Sequence, residues 1–400
     1  MSLAPPLAGT AGTHHPSRLR AAAAVLALSL GCFTFVSTEL MPVGVLPAMA
    51  QGLGVSLGAA GYLVSCFAFV VALTAAPLTG LLGRLDRRML MAALLAVCGI
   101  GNLITCLAPG YATVLAGRVL VAAAIGVFWS TAVVTAVHLV SARNAIRTTA
   151  IVFGGVSLAT VLGVPAGTLI GDHAGWRAVF AALSVLSLAV FAVVTWSVPA
   201  VRLSKASLRH AMGAIARDRA LLAVFSATAL IVTGNFLAYT YITPWLAQVA
   251  GVGSEQTSLL LLVYGAAGVA ANFAAAPLAA RALHTGLAII TALMAASLFA
   301  LALAGHHLAT TVGVIACWGA AYGALPVLLQ TLVFRGAARL EGAADAATAI
   351  NVAVFNAAIG LGALIGGQVI NASGPARIPV VAAVFVLVGL AVVHRAARRA

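Results

Sequence analysis

Residues 21–50 read AAAAVLALSLGCFTFVSTELMPVGVLPAMA. The run follows Arg18 and Arg20, as the apolar region of a secretory signal follows its basic start. It is about twice as long as the roughly 7–15 residues such a region needs. It also contains Glu39, Pro42 and Pro47. A helix crosses the hydrocarbon core with about 20 apolar residues, so this stretch reads as a first membrane span. Residues 1–17, with His14 and His15, read as a short disordered tail.

Working outward, eleven further apolar stretches follow. The spans are predicted at about 21–49, 58–82, 89–108, 112–139, 148–171 and 178–198, then 220–248, 257–281, 285–304, 309–334, 346–370 and 378–395. Of the 400 residues 63% are hydrophobic and 7% charged, and the mean hydropathy is +1.14. Soluble domains carry about 25% charged residues, so a soluble class is excluded. The expected fold is an all-α membrane protein of twelve transmembrane helices.

The formal charge of +14 could suggest a nucleic-acid partner, but the basic residues form no continuous stripe. They come in short sets between spans: Arg18 and Arg20; Arg84, Arg87 and Arg88; Arg143 and Arg147; Arg202, Lys205, Arg209, Arg217 and Arg219; Arg281; Arg335 and Arg339; Arg395, Arg398 and Arg399. With alternating crossings all these lie on one side, Arg177 and Arg377 lie on the other, and Arg118 is within the membrane. Short loops retain positive charge on the cytoplasmic side, which places both termini there. Expected partners are therefore the bilayer, a small-molecule substrate and protons, with no nucleic acid, for a chain working as a monomer.

The two halves repeat each other. Pro47, Gln51, Gly54 and Val55 match Pro244, Gln248, Gly251 and Val252 at an offset of 197. Ala76-Pro77-Leu78 matches Ala276-Pro277-Leu278, and Gly167-Thr168-Leu169-Ile170-Gly171 matches Gly362-Ala363-Leu364-Ile365-Gly366. The predicted organisation is a tail (1–20), a six-helix bundle (21–198), a basic linker (199–219), a second bundle (220–395) and a short tail (396–400). Two six-span halves of like orientation suit a transporter that rocks around a midplane site.

Glu39 is the one acidic residue inside an apolar stretch, about 16 Å from Ala50 along a helix. An acidic group there costs roughly 2.5–3.5 kcal/mol on insertion scales and marks a functional site by default. Desolvation penalises the charged form of a carboxyl, so such a group can take up and release a proton near neutral pH. The competing reading is a carboxyl that merely snorkels to water. Pro42 frees the carbonyl of Thr38 beside it. Arg118 can pair with Glu39, or it can satisfy free backbone carbonyls of a neighbouring helix. Trp129, three turns beyond Arg118, shares its stripe with Ile125.

Asn235 and Tyr239 lie one turn apart and, with Tyr241, offer polar groups to a solute; Tyr241 fits an interfacial aromatic belt as well. Asn272, Trp318, Tyr322, Gln330, Asn351 and Asn356 read as helix–helix hydrogen-bond partners. His138 falls on the face opposite Arg118. Gly155, and the spacing Gly163-x-x-x-Gly167-x-x-x-Gly171, flatten one face of the fifth span for close helix approach.

The five cysteines have neither metal nor disulfide spacing. No P-loop is present: the only lysine, Lys205, precedes Ala206. Without a catalytic motif or a cofactor signature, the chain is expected to be no enzyme and to need no cofactor.

Several segments resemble the drug–proton antiporter branch of the major facilitator superfamily, and most closely its bacterial sugar efflux transporters. They are Ser37-Thr38-Glu39-Leu40-Met41-Pro42, Leu85-Asp86-Arg87-Arg88, Gly126-Val127-Phe128-Trp129-Ser130, Gly163-Val164-Pro165-Ala166-Gly167 with Gly175-Trp176-Arg177, and Ala238-Tyr239-Thr240-Tyr241-Ile242. The resemblance implies the major facilitator fold, an inner-membrane location and proton-driven export of sugars or their analogues. Chloramphenicol-type multidrug exporters, purine-nucleoside exporters and an uncoupled facilitator are the alternatives.

By the same resemblance Glu39 and Arg118 are the proton-coupling residues; from their own placement Trp129, on a cavity-face stripe, and Asn235, Tyr239 and Tyr241 are the expected substrate contacts. Arg84, Asp86, Arg87 and Arg88 would form a gating loop, and Gly155, Gly163, Pro165 and Gly167 the antiporter helix motif. Ile125 stands where sugar-exporting relatives can carry histidine.

Overall fold

The computed structural model describes residues 18–82, 85–140, 144–200, 215–304, 308–340 and 343–397. The first six crossings use α1 (Arg18–Leu53), α2 (Leu57–Leu82), α3 (Arg87–Leu107), α4 (Tyr111–His138), α5 (Ala145–Leu158) continued as α6 (Val164–Ala174), and α7 (Trp176–Ser197). The second six use α8 (Arg219–Tyr239) with the short α9 (Ile242–Gln248), α10 (Ser254–Ala304), α11 (Leu308–Ala337), α12 (Ala344–Ser373) and α13 (Ile378–Ala397).

Eleven helical stretches among the described residues are long and apolar enough to cross a membrane. The 51-residue α10 would be about 76 Å long if straight, far beyond the roughly 30 Å hydrocarbon core. It breaks at Ala282 (φ −151°, ψ 58°), immediately after Arg281, and so supplies two of twelve crossings.

Backbone chemistry sets the helix ends and bends. The Asp86 carboxylate caps α3 by accepting from the Met89 amide at 3.1 Å. Asp218 caps α8 by accepting from Ala220 and Leu221, each at 2.9 Å. The repeat is visible in the backbone itself. Gly54 and Gly251 turn with φ of 64° and 66°, and Gly175 and Gly374 with 79° and 77°, a region only glycine enters at low cost. α1 bends at Val45 (φ −118°, ψ 17°) and its counterpart at Tyr241 (φ −112°, ψ 18°), each just before a proline, Pro47 or Pro244.

Glycine faces make the equivalent helix pairs. A Cβ on Gly163, Gly167 or Gly171 would strike Ser37, Met41 or Val45 of α1. On Gly362 or Gly366 of α12 it would strike the backbone near Thr233 and Leu237, or the ring of Tyr241. Between α5 and α6, residues Ala159–Gly163 form a π-helical turn, and Gly265 of α10 packs against Thr160 and Val161 within it.

The end where α1 begins and α13 finishes is the terminal end, and the opposite one the distal end. The hydrogen bonds that join the two halves among the described residues all lie toward the distal end. Gly58 donates its amide to Asn371 Oδ1 at 3.2 Å, and Ser254 donates to Asp172 Oδ2 at 2.7 Å. Ser258 donates to the Pro165 carbonyl at 2.8 Å, and Thr243 to the Val43 carbonyl. Pro47 has no amide to bond Val43, four residues back, so Thr243 fills a vacancy that the proline makes. The distal end is the closed end of this conformation.

Candidate functional site

Near the middle of α1 two freed or shared carbonyls hold an arginine. Arg118 of α4 is 1% exposed. It donates Nη1–H to the Thr38 carbonyl, the one Pro42 releases, and Nη2–H to the Glu39 carbonyl at 3.0 Å. Its guanidinium lies 4.2 Å from the centroid of the Phe67 ring on α2, a favourable stacking of cation on π face. Arg118 therefore grips the backbone at Glu39 and forms no salt bridge with its carboxylate. Of the two sequence readings of Arg118, the one that gives it backbone carbonyls describes its hydrogen bonds.

Glu39 itself is half-buried. No described residue donates a hydrogen bond to its carboxyl, and it is near enough to Tyr322 on α11, across the interface of the halves, to interact electrostatically. The side chain thus points between the bundles.

Behind Arg118 a polar seam runs through the first bundle. Asn102 Nδ2 donates to Thr38 Oγ1 at 3.0 Å and approaches Cys98 Sγ at 3.6 Å, while Ser187 Oγ donates to the same sulfur at 3.5 Å. Asn102 and Cys98 sit one turn apart on α3, so one face of that helix supplies both. Thr38 therefore offers its hydroxyl to Asn102 and its carbonyl to Arg118. The sequence reading passed over this seam; a lone Asn within the apolar third span was its one signal.

In the second bundle Asn235, 0% exposed, organises an aromatic cluster. Its Oδ1 accepts from Trp318 Nε1–H at 3.0 Å and from the Tyr264 hydroxyl at 3.4 Å. Tyr239 stacks on Tyr264 (centroids 4.8 Å, 22°) and meets Trp318 edge-on at 6.3 Å. Phe236 links Tyr239 to Tyr322, at 6.0 and 5.9 Å. Asn235 Nδ2 has no partner among the described residues. Asn235 and Tyr239 are thus brought together, with Tyr322 as their bridge toward Glu39. Tyr264 escaped the sequence reading, although it is the one tyrosine in its span.

The remaining candidates lie elsewhere. Tyr241 is 0% exposed, with its hydroxyl donating to the Ala363 carbonyl at 2.8 Å and its ring filling the space left by Gly61 and Gly366. This placement excludes a lipid-facing belt and puts Tyr241 in the distal closure, apart from Asn235. Trp129 is half-buried against Phe153 of α5, ring centroids 6.1 Å apart, about 16 Å along α4 from Arg118.

In the loop before α3, Asp86 caps the helix, Arg87 is 5% exposed and Arg88 is exposed; Arg84 lies outside the described residues. Gly155, Gly163 and Gly167 all face α1, and a Cβ at Gly155 would overlap the Ser29 carbonyl. Pro165 lends its carbonyl to Ser258. Gln330 and Asn351 bond each other at 2.9 Å between helices, whereas Asn356 bonds the Val352 carbonyl of its own helix.

With this geometry in place, comparison with known proteins fixes the family. The Major Facilitator Superfamily model matches residues 26–366. The chain belongs to that superfamily. As a member of it, the chain is a multi-pass membrane transporter and not an enzyme. It is 28% identical over 366 residues to a protein described as a probable sugar efflux transporter from Mannheimia succiniciproducens, covering 90% of each chain. Two solved structures share the fold at TM-score 0.75. One is a bacterial homolog of the human lysosomal transporter Spinster, inward-facing and unoccupied (15% identity; 96% of this chain and 98% of that one). The other is a POT family transporter in complex with 5-aminolevulinic acid (11% identity; 96% and 98%).

Proposed function

We propose that this superfamily member exports small polar solutes, sugars or sugar analogues, in exchange for protons by alternating access. The observation that carries the reading is the setting of Glu39. It is the only acid within the apolar stretches of the sequence, away from the helix ends where Asp172 and Glu255 sit; it points between the bundles, it receives no hydrogen bond from a described residue, and an arginine grips its own backbone. A carboxyl so placed can change protonation without breaking a structural bond. Its charge would be felt by Tyr322 and, through the Phe236–Tyr239 contacts, by the Asn235 cluster.

The solute class is supported by the 28% identical relative, described as a probable sugar efflux transporter. Tyr239, Tyr264 and Trp318 offer apolar faces, and Asn235 Nδ2 offers donors for a hydroxyl. The Arg-rich terminal end supports an inner-membrane protein with cytoplasmic termini. The present conformation, closed distally, would then face inward. Its distal bonds through Thr243, Ser254, Ser258 and Asn371 would break when the cavity turns outward.

The experiment is uptake of a radiolabelled thiogalactoside by everted vesicles under an imposed pH gradient. Wild type should concentrate the sugar and lose it on adding an uncoupler. Glu39→Gln should insert normally yet fail to concentrate it. Full uncoupler-sensitive accumulation by Glu39→Gln would refute the role of the carboxyl.

A further inference from the structure

A cavity remote from Glu39 opens at the terminal end of the second bundle. It has a volume of about 250 Å3 and lies among α8, the part of α10 beyond Ala282, the last turns of α11, and α13. Its inner wall is apolar, with Ala223, Leu287 and Val393 as examples. Its mouth is basic: Arg335, Arg339 and His284 line it, and all three side chains are exposed.

Among the described residues neither guanidinium has an ion-pair partner. Arg335 uses Nη2–H on the Ala279 carbonyl at 3.1 Å, and Arg339 has no hydrogen bond to a described residue. The described carboxylate nearest in sequence to the wall, Asp218, is committed to the first amides of α8. The last turn of α11 and the turn just beyond it therefore present guanidinium N–H donors above an apolar recess. A hydrated inorganic anion would satisfy the donors and gain nothing from the recess; an acyl chain alone would do the reverse.

We propose that this cleft holds a phosphate headgroup of an anionic membrane lipid, with Arg335 and Arg339 on the phosphate and its acyl region against Ala223 and Leu287. Arginine suits phosphate because its paired N–H groups match two phosphate oxygens. The depth is appropriate too, since Arg335 and Arg339 sit at the end of a membrane-crossing helix, where headgroups lie. Basic pockets between spans at this level are a recurring means of headgroup recognition.

Delipidated full-length protein in detergent, titrated with phosphatidylglycerol, phosphatidylcholine or inorganic phosphate and read by native mass spectrometry, tests this. Phosphatidylglycerol should be retained in preference to phosphatidylcholine. Arg335→Gln and Arg339→Gln should each weaken retention about fivefold, and Arg339→Lys, which keeps the charge but loses the paired N–H groups, should weaken it less. Ala223→Phe, which fills the recess with both charges intact, should also lose the lipid. Arg147→Gln, at the same end of the first bundle, should change nothing.

Arg339 bonds no described residue, so Arg339→Gln alone decides the matter if Arg335→Gln, which loses the bond to the Ala279 carbonyl, does not fold. The proposal is overturned if these cleft variants bind phosphatidylglycerol as wild type does. It is equally overturned if low-millimolar inorganic phosphate displaces the lipid, which would make the cleft a soluble-anion site.

Discussion

At the scale of single residues the chain spends its rare polar groups on backbone that proline has freed. Pro42 releases the Thr38 carbonyl and Arg118 takes it; Pro47 releases the Val43 carbonyl and Thr243 takes it. A buried carbonyl left without a donor costs about 1–3 kcal/mol. Arg118→Leu should therefore lose at least that much stability, read as a lower melting temperature in detergent. Arg118→Lys should lose less, because an ammonium still reaches one carbonyl. Equal melting of wild type and Arg118→Leu would show that the arginine is not a backbone clamp. Glu39 and Arg118 were legible in the sequence because charge inside an apolar span is costly and therefore stands out. The Thr38–Asn102–Cys98–Ser187 seam and Tyr264 were not, since a single hydroxyl, amide or thiol in a span costs little and has many bland uses. Which of them converge depends on helix rotation, and periodicity is nearly silent about rotation where every face is apolar.

At the scale of helices the prediction separates two neighbouring glycines. A Cβ at Gly155 would land on the Ser29 carbonyl of α1, whereas one at Gly154 meets nothing within 4 Å. Gly155→Ala should cost about 1–3 kcal/mol, as overpacking does. Gly154→Ala should be neutral or stabilise by about 0.5–1 kcal/mol. Thermal unfolding of the pair checks both signs at once. The spacing of Gly163, Gly167 and Gly171 foretold a flat face, and α1 is the helix it receives. The division of α10 at Ala282 was also foretold, because Arg281 interrupts an apolar run too long for one crossing. The π-helical turn at Ala159–Gly163 was not. Nothing in Ala-Thr-Val-Leu-Gly signals an extra residue per turn, and the contact that exploits it, Gly265 against Thr160 and Val161, comes from the other half.

At the scale of the whole molecule, the repeat seen in sequence reappears as paired glycine turns, paired bends and paired glycine faces. Sequence symmetry does not say which end is shut. That follows from cross-half bonds whose partners are far apart in the chain, such as Gly58 with Asn371. Opening the distal end must break them. Ser254→Cys with Asp172→Cys, joined by a short bifunctional thiol reagent, should arrest transport, and either cysteine alone should not. Thr243→Val should shift the population toward the distally open form, seen as faster labelling of a thiol placed at Asn371. Unchanged labelling would mean that the Thr243–Val43 bond does not hold the closure.

The most direct measurement of the central claim is proton release on solute binding. Purified protein in weakly buffered detergent, with a pH-sensitive dye, receives a saturating thiogalactoside. Wild type should release protons into the medium as the sugar displaces the proton held by Glu39, and Glu39→Gln should bind the same sugar with no release. The same release from Glu39→Gln, or none from wild type while sugar binding is observed, would contradict proton exchange at this carboxyl.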